Sequence, residues 1–279
     1  RRDDPPFRCR SRGRCIVTRF AGALRVGLIG YGAIGRVVHR ELVRQAPDAV
    51  DPVSILVRRP DALGAAARGA ACLGIEELGT ADLDSLLARE PDLVVECAGH
   101  QAVDAYAVLI LRAGIDLMLV SVGALADADR EARLLDAARS GGSRLIVPAG
   151  AIGAVDWLAA ARRAGLTRVV YRSRKPPSAW AGSPAEDRLD LGRLDSADTF
   201  FSGSARAAAS AYPKNANVAA TIAIATLGFD ATRVELIADP AVTANIHEVT
   251  AVGQSGTLAL RIEGQADPDN PRTSVQTAY

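Results

Sequence analysis

The sequence lacks the features that would assign it to several specialised classes of protein. Its 279 residues carry a formal net charge of only +1 at pH 7, which argues against a nucleic-acid partner. No apolar run reaches the length of about 18 residues that a membrane-spanning helix needs. The four cysteines, Cys9, Cys15, Cys72 and Cys97, have a spacing typical of neither a zinc site nor a disulfide framework. We therefore expect a cytoplasmic protein with no metal site and no membrane contact.

What the sequence does contain is a glycine-rich turn between an apolar strand and a helix. Gly30, Gly32 and Gly35 form a Gly-x-Gly-x-x-Gly pattern. In dinucleotide-binding proteins the first glycine permits the tight turn, the second lets the backbone approach a pyrophosphate, and the third lets the helix pack closely on the strand. The pyrophosphate then binds free N–H groups at the helix N-terminus, here at Ala33 and Ile34. An ordinary strand, turn and helix is the alternative interpretation.

The acidic residue that completes this pattern in NAD-specific sites is absent. At the tip of the second expected strand, residues 53–57, the chain continues with Arg58 and Arg59 where Asp or Glu normally binds the ribose 2′-OH. Arginine can pair with a 2′-phosphate. We therefore expect Arg58 to contact the cofactor and the site to accept NADP at least as readily as a typical NAD enzyme. The alternative is that both arginines are solvated loop residues.

Strands and helices alternate with short connections from Arg25 onward, which is typical of a parallel α/β sheet. Further strands are expected at 92–97, 116–120 and 144–147. Helices are expected at 62–69, at 81–90, in a segment that ends at about residue 113, and at 127–140. Ligands bind at the carboxyl ends of the strands of such sheets. We therefore expect the cofactor cleft to be lined by Cys97, Ala98, Gly99, Gly123 and Gly150.

Changes in composition divide the chain into three segments. Residues 1–24, dense in arginine and in helix-breaking residues, are expected to be a disordered or foreign tail, and a targeting peptide is the alternative. Residues 25–149 are expected to form a Rossmann-type dinucleotide-binding domain. Residues 150–279 are expected to form a smaller α+β domain, with strands at 167–174, 233–238, 244–252 and 257–263 and a helix at 217–227. Residues 273–279 could begin a helix, which leaves room for a missing C-terminal segment.

Seven segments carry a more specific signal, and they occur at 96–100, 121–127, 150–153, 174–177, 213–220, 238–240 and 245–248. In this order they resemble the L-aspartate dehydrogenase family, over essentially everything from residue 25 onward. The resemblance implies oxidative deamination of L-aspartate to iminoaspartate and then oxaloacetate plus ammonia, with NAD or NADP, and the reverse reductive amination. It also implies a homodimer and a supply of iminoaspartate to NAD biosynthesis. Position by position, it implies that His247 is the active-site histidine and that Ala151 and Asn217 contact the cofactor.

The oxidation of an amino acid requires a proton acceptor, and this requirement does not depend on the family resemblance. Hydride leaves the Cα atom only from the neutral amine, and histidine is a ready acceptor near neutral pH. The chain has three histidines. His39 falls on the back of the first helix and is expected at the surface. His100 begins a helix beside the nicotinamide end of the cleft, where it can bind substrate, although capping or packing is the alternative. His247 lies in a polar strand that can face the cleft, and a structural histidine is its alternative role.

Lysine is also scarce, since Lys175 and Lys214 are the only two. Lys175 follows Arg174 on a proline-rich loop and can bind a substrate carboxylate as a point charge, with Arg174 as a second cation. A solvated loop lysine is the alternative interpretation. We expect L-aspartate to be preferred over alanine and glutamate on this basis.

Two other functions fit the same fold. A non-catalytic dinucleotide sensor would report redox state without chemistry, since fold does not fix function. An aldehyde dehydrogenase would use Cys97 as its nucleophile. Cys97 lies at the end of a continuous apolar strand, however, and buried cysteines usually pack as small hydrophobic side chains. Reduction of NAD or NADP in the presence of L-aspartate distinguishes these functions.

Overall fold

The computed structural model describes residues 22–45, 48–60, 63, 78–267, 270–274 and 277. The expected tail, up to residue 21, and most of the expected helix at 62–69 lie outside the described residues, as do Cys9, Cys15 and Cys72. The first strand begins at Leu24, which is the last residue of the expected tail and one residue before the expected start of the dinucleotide-binding domain. In the described part of the chain, no helix is long and apolar enough to span a membrane.

The first sheet has six parallel strands. These are β1 (Leu24–Ile29), β2 (Val50–Leu56), β3 (Gly79–Thr80), β4 (Leu93–Glu96), β5 (Asp116–Leu119) and β6 (Leu145–Ile146). They lie in the order β3-β2-β1-β4-β5-β6, the order of a Rossmann-type sheet, so the predicted fold class is confirmed. Strands β2 and β3 are added on one side of β1, and strands β4 to β6 on the other. The strand order thus switches between β1 and β4, and ligands bind in the crevice at such a switch point.

Helices cover this sheet. They are α1 (Ala33–Gln45), α2 (Leu83–Leu87), α3 (100–112) and α4 (Ala128–Gly141), and α3 contains a π-helical turn, Val103–Ala107. Helix α4 begins where it does because the Asp127 carboxylate accepts a hydrogen bond from the backbone N–H of Arg130 at 2.9 Å. It ends at Gly142, whose φ of 66° is in the left-handed region. These caps place the helix one residue later than predicted.

The second sheet has five strands. They are β7 (Leu166–Lys175), β8 (Asp198–Ser204), β9 (Arg233–Ala238), β10 (Asn245–Gly253) and β11 (Gly256–Gly264), in the order β11-β10-β7-β9-β8. Only β7 and β9 are parallel among the described pairs of this sheet. Helices α5 (Val155–Arg163), α6 (Ala205–Ala211) and α7 (Asn217–Ala225) accompany it. This is the predicted α+β part, although β8, α5 and α6 were not predicted.

The chain's last described residues correct one expectation. Strands β12 (Ala266–Asp267) and β13 (Asn270–Ser274) form an antiparallel pair. The helix expected at 273–279 is therefore wrong at residues 273 and 274, which lie in a strand. Pairing with β12 overrides the local preference of this segment.

One hydrophobic core joins the two sheets. It contains Leu111 and Leu134 from helices of the first sheet and Trp180 and Ile222 from the second part of the chain. Helix α7 packs against the 3-10 helix Val122–Ala126, and three of its alanines are fully buried. Small side chains permit this close approach of two backbones. The carboxyl ends of β4 and β5 are therefore held next to the second sheet.

Candidate active site

The glycine-rich turn forms the floor of what we call the outer cleft, which is lined by Gly30, Gly32, Arg58, Cys97 and Ala98 among others. Gly30 has a φ of 89°, and a Cβ atom there would lie 2.8 Å from the Cβ of Ala98. A Cβ on Gly35 would lie 2.4 Å from the carbonyl oxygen of Gly30. A Cβ on Gly32 would meet nothing within 4 Å, so its backbone faces open space. The turn thus has the cradle that a pyrophosphate requires.

Ala33 and Ile34 are the first residues of α1, which begins directly after the glycine turn, so their N–H groups have no acceptor within the helix. Arg58 and Arg59 are exposed and lie after β2, where the outer cleft ends. No carboxylate stands between them and the cleft in the described segment 50–60. The outer cleft therefore presents positive charge where the ribose of a dinucleotide would lie.

A buried carboxylate fixes the two turns that follow β4 and β5. Glu96 is 1% exposed, and its Oε1 atom accepts hydrogen bonds from the backbone N–H groups of Ala98 and Gly99, each at 2.7 Å. Its carboxylate also accepts bonds from the N–H and the hydroxyl of Ser121, each at 3.1 Å. Burial raises the pKa of Glu96, while these bonds oppose that change. Glu96 thereby holds together the strand ends that face the cofactor.

A second cavity, the inner cleft, lies where α1 and the 148–151 turn face the second sheet. Its free volume is about 80 Å³, and it is lined by Ile34, Ala151, Lys175, Lys214, Asn215, Asn217, Thr221 and His247, among others. The inner cleft brings together the predicted histidine, the predicted substrate lysine and three predicted cofactor contacts, from five separate segments of the chain.

His247 lies in the inner cleft as one half of a buried pair. Its side chain is 3% exposed, and its Nδ1 atom shares a hydrogen bond of 2.7 Å with the hydroxyl of Tyr171. The two rings are nearly parallel, with centroids 6.0 Å apart. Burial and, to a lesser extent, the charge of Lys175 lower the pKa of His247 to about 3. His247 is therefore neutral near pH 7, and its Nε2 atom is the ring nitrogen left for a ligand.

Strand alternation places Arg174 and Lys175 on opposite faces of the second sheet. His247 on β10 lies opposite Ser173 on β7, so Tyr171, Ser173 and Lys175 share its face of the sheet. Lys175 is 4% exposed, with its Nζ atom 5.4 Å from the centroid of the Trp180 ring. Arg174 lies on the opposite face and donates a hydrogen bond of 2.7 Å to the carboxylate of Asp239. The expectation that Arg174 is a second substrate cation is therefore wrong.

Comparison with known proteins gives a consistent answer. A family model described as "Aspartate dehydrogenase, C-terminal" matches residues 156–279, and one described as "Homoserine dehydrogenase, NAD binding domain" matches residues 30–148. The L-aspartate dehydrogenase of Ruegeria pomeroyi is 49% identical over 91% of this chain and 89% of its own length. That of Cupriavidus taiwanensis is 46% identical over 92% and 94%.

The chain belongs to the L-aspartate dehydrogenase family. A crystal structure of aspartate dehydrogenase from Thermotoga maritima matches the fold with a TM-score of 0.67 and 26% identity, over 91% of this chain and 93% of that one. The sequence-based resemblance and the predicted NAD-binding domain are thus confirmed. The family assignment agrees with the arrangement of a glycine-turn cleft beside a second cleft that holds a buried histidine.

Asn217 and His100 both lie close to Gly123, because a Cβ atom there would be 3.1 Å from Oδ1 of Asn217 and 3.2 Å from Nε2 of His100. The Oδ1 atom of Asn217 accepts a hydrogen bond of 2.9 Å from the Gly123 N–H, so Asn217 connects α7 to the turn after β5. The Nε2 atom of His100 is buried and has no partner among the described residues. Burial and the charge of Arg130 lower its pKa. His100 lines neither cleft, in contrast to its predicted contact with substrate.

Cys97 lies on the outer cleft and not beside His247. Burial, with a smaller contribution from Glu96, raises the pKa of its thiol to about 12. Since the thiolate is the nucleophilic form, almost none of it is present at neutral pH. The high pKa argues against the aldehyde dehydrogenase alternative, in which Cys97 would be the nucleophile. Cys97 is instead one of the residues that line the outer cleft.

His39 corrects another expectation. It was predicted at the surface on the back of α1, but it is 2% exposed, and its Nδ1 atom lies 3.0 Å from the hydroxyl of Tyr31. Burial lowers its pKa. The prediction was wrong because the ring of Tyr31, which precedes the helix, packs edge-on against His39 with centroids 5.8 Å apart, on a face that the 3.6-residue period assigns to solvent.

Four residues of the site were not predicted as such, namely Glu96, Tyr171, Lys214 and Asn215. A charged residue inside an apolar strand was a signal for Glu96, because a buried carboxylate must be hydrogen-bonded. Asn215 lay in a segment used only for the family resemblance. For Tyr171 the sequence holds no signal, because its partner is 76 residues away.

Among the described residues, no group of three His, Cys, Asp or Glu side chains could hold a metal ion.

Proposed function

We propose that this chain oxidises L-aspartate at its CH–NH2 group with NAD or NADP, giving iminoaspartate and then oxaloacetate and ammonia, and that it catalyses the reverse reductive amination. The observation that carries the proposal is the inner cleft, where His247 and Lys175 face the turn that ends the dinucleotide-binding sheet. The relatives that are 46–49% identical are named for the same activity.

The charges of the inner cleft suit a substrate with two carboxylates. Lys175 and Lys214 are the chain's only lysines, and both line this cleft. Lys175 is nearly buried, so its attraction to an anion is screened less than that of a surface lysine. The inner cleft thus offers two lysines for the two carboxylates of such a substrate and a neutral His247 for its amine.

His247 handles the proton in this proposal. The substrate ammonium must lose a proton before the C–H bond breaks, and the Nε2 atom of His247 accepts it. Burial and Lys175 keep His247 neutral in the free protein. A bound dicarboxylate pairs with Lys175 and adds negative charge nearby, which raises the pKa of His247 and makes it a better base. In this role the Nδ1–H group of His247 donates to the hydroxyl oxygen of Tyr171, which leaves Nε2 unprotonated and keeps the ring in one orientation while its charge changes.

The cofactor, when bound, accepts the hydride from Cα. For its pyrophosphate we propose Gly30, Gly32, Ala33, Ile34 and Gly35, with Arg58 at the ribose. For the remainder we propose the strand-end residues Cys97, Ala98, Gly99 and Ala151, together with Asn217. The open space at Gly32 and the cleft position of Ala151 support these contacts. In this view Asn217 has two roles, because it also holds the Gly123 turn.

The proposal extends to organisation and setting. We place the change from cofactor domain to substrate domain near residues 149 and 150, at the turn that lines the inner cleft. The family resemblance supports a homodimer and a cytoplasmic supply of iminoaspartate to NAD biosynthesis. Light scattering coupled to gel filtration tests the homodimer, since it gives the molar mass directly.

One assay tests the activity. The purified chain is incubated with L-aspartate and NAD or NADP, and formation of the reduced cofactor is followed by its near-ultraviolet absorbance. We expect L-aspartate-dependent reduction, and much less with L-alanine or L-glutamate. Binding of the dinucleotide with no reduction would instead indicate a sensor, and equal turnover of alanine and aspartate would contradict the proposed substrate.

A further inference from the structure

Asn215 presents a hydrogen-bond donor to the inner cleft that no described residue accepts. Its side chain is 9% exposed and lines the cleft together with Lys175 and His247. Its Nδ2 atom is buried and has no hydrogen-bond partner among the described residues. A buried donor without a partner is unfavourable to folding, so native proteins rarely keep one without a reason. A ligand that accepts hydrogen bonds would supply that reason.

The position of Asn215 is fixed by the structure around it. Its backbone N–H donates to the carbonyl of Tyr212 at 2.9 Å, in the turn between α6 and α7. Tyr212 is itself 2% exposed and packs edge-to-face on Phe200 and Phe201, with centroids 5.6 and 5.4 Å away. Two residues later, Asn217 uses its side-chain oxygen on the Gly123 N–H. Both asparagines line the inner cleft, but only the amide of Asn215 has an Nδ2 atom that is buried and without a partner among the described residues.

We propose that Asn215 binds the side-chain carboxylate of L-aspartate and thereby selects a dicarboxylic amino acid. This rests on the proposed function and names a residue for its specificity. The amine and the α-carboxylate are attached to one carbon, so they must lie together near His247 and Lys175 on the sheet. Asn215 reaches the inner cleft from a different element, the turn before α7. It is therefore assigned to the other end of L-aspartate, the side-chain carboxylate. An amide donates to a carboxylate without adding charge, while the lysines supply the charge.

The test compares Asn215→Ala and Asn215→Asp with the wild-type chain. Alanine removes the donor, and aspartate keeps the shape but replaces the donor with negative charge. We expect Asn215→Ala to lower kcat/KM for L-aspartate by about 10–100-fold, the range for a hydrogen bond to a charged group. For L-alanine, kcat/KM should change less than about threefold, because that substrate has no second carboxylate. Asn215→Asp should be worse than Asn215→Ala with L-aspartate, because two carboxylates repel.

Binding measurements separate this proposal from the activity itself. Calorimetric titration of succinate and of propionate into the chain saturated with NADH should show that Asn215→Ala weakens only succinate. Succinate cannot be oxidised here, so this result stands even if the wild-type chain does not turn over L-aspartate. In that case the proposed function fails and the dicarboxylate site remains.

Two outcomes would overturn the role of Asn215. An equal loss with aspartate and alanine would place Asn215 at the α-carboxylate or at His247. A weaker affinity for NADH, with an unchanged ratio between the two amino acids, would place the Asn215 amide on the cofactor. Thermal melting of each variant provides the control for folding. Asn215→Ser, which keeps one donor, should recover part of the preference for aspartate.

Discussion

His247 should make the stability of this protein depend on pH in a way that one substitution removes. Burial and Lys175 hold the pKa of His247 at about 3 in the folded chain, against its ordinary value of 6.5 in the unfolded chain. Between these two values the unfolded chain binds a proton that the folded chain does not. The free energy of unfolding therefore rises with pH across this window and falls as the pH drops below 6.5.

The size of the effect follows from the shift. Each pH unit inside the window changes the free energy of unfolding by about 1.4 kcal/mol. From pH 7 to pH 5 the contribution of His247 is about 2 kcal/mol, because the unfolded pKa lies inside this interval and the folded pKa lies well below it. His39 and His100 also have lowered pKa values and add to the same trend. A comparison of variants is therefore needed to isolate His247.

The assay is urea denaturation of the wild-type chain and of His247→Gln at pH 7, 6 and 5. The variant should be less stable at pH 7, but the gap between the two free energies of unfolding should narrow by about 2 kcal/mol at pH 5. Tyr171→Phe serves as the control, because it removes the hydrogen bond to His247 and keeps the buried imidazole. Its gap to the wild-type chain should not change with pH. Parallel curves for the wild-type chain and His247→Gln would refute the reasoning, since they would mean that His247 titrates alike in both states.

Four other predictions follow from the site. His247→Ala should lower turnover by about 10²–10⁴-fold with little change in cofactor affinity, and a folded variant that keeps more than about a third of the turnover would contradict its role. The dependence of kcat/KM on pH should show no inflection near 6.5 from His247, because its pKa is about 3 in the free enzyme; such an inflection, absent from His247→Gln, would argue against burial. Arg58→Asp should weaken NADP selectively by repelling its 2′-phosphate, and titration of both cofactors checks this; an unchanged affinity ratio would place Arg58 outside the site. Glu96→Gln should lower the free energy of unfolding by about 1–3 kcal/mol and weaken NADH binding, because an amide NH2 in place of Oε2 would face the backbone N–H of Ser121; unchanged melting and affinity would count against it.

The sequence by itself determined the features that depend on neighbouring residues. The turn at Gly30, Gly32 and Gly35 could be recognised because its steric demands act within six residues, and the structure shows a positive φ and close approaches where they were expected. Strand β9 was predicted with its observed limits, since its apolar run is bounded by clear breakers. The alternation of strand and helix likewise led to the Rossmann-type sheet.

Tertiary structure decided the features that depend on residues distant in sequence. Strand alternation separates Arg174 from Lys175, but only the packing of α7 and of the strand-end turns against one face of the second sheet determines which of the two reaches the cleft. The pairing of Tyr171 with His247 depends on the register between β7 and β10, and the low pKa of that histidine depends on its burial and on the charge of Lys175. His39 is buried although its position on α1 indicated the surface, because the ring of Tyr31 packs against it. Periodicity assigns a side chain to one face of an element, whereas the chemistry of that side chain is set by what covers the face.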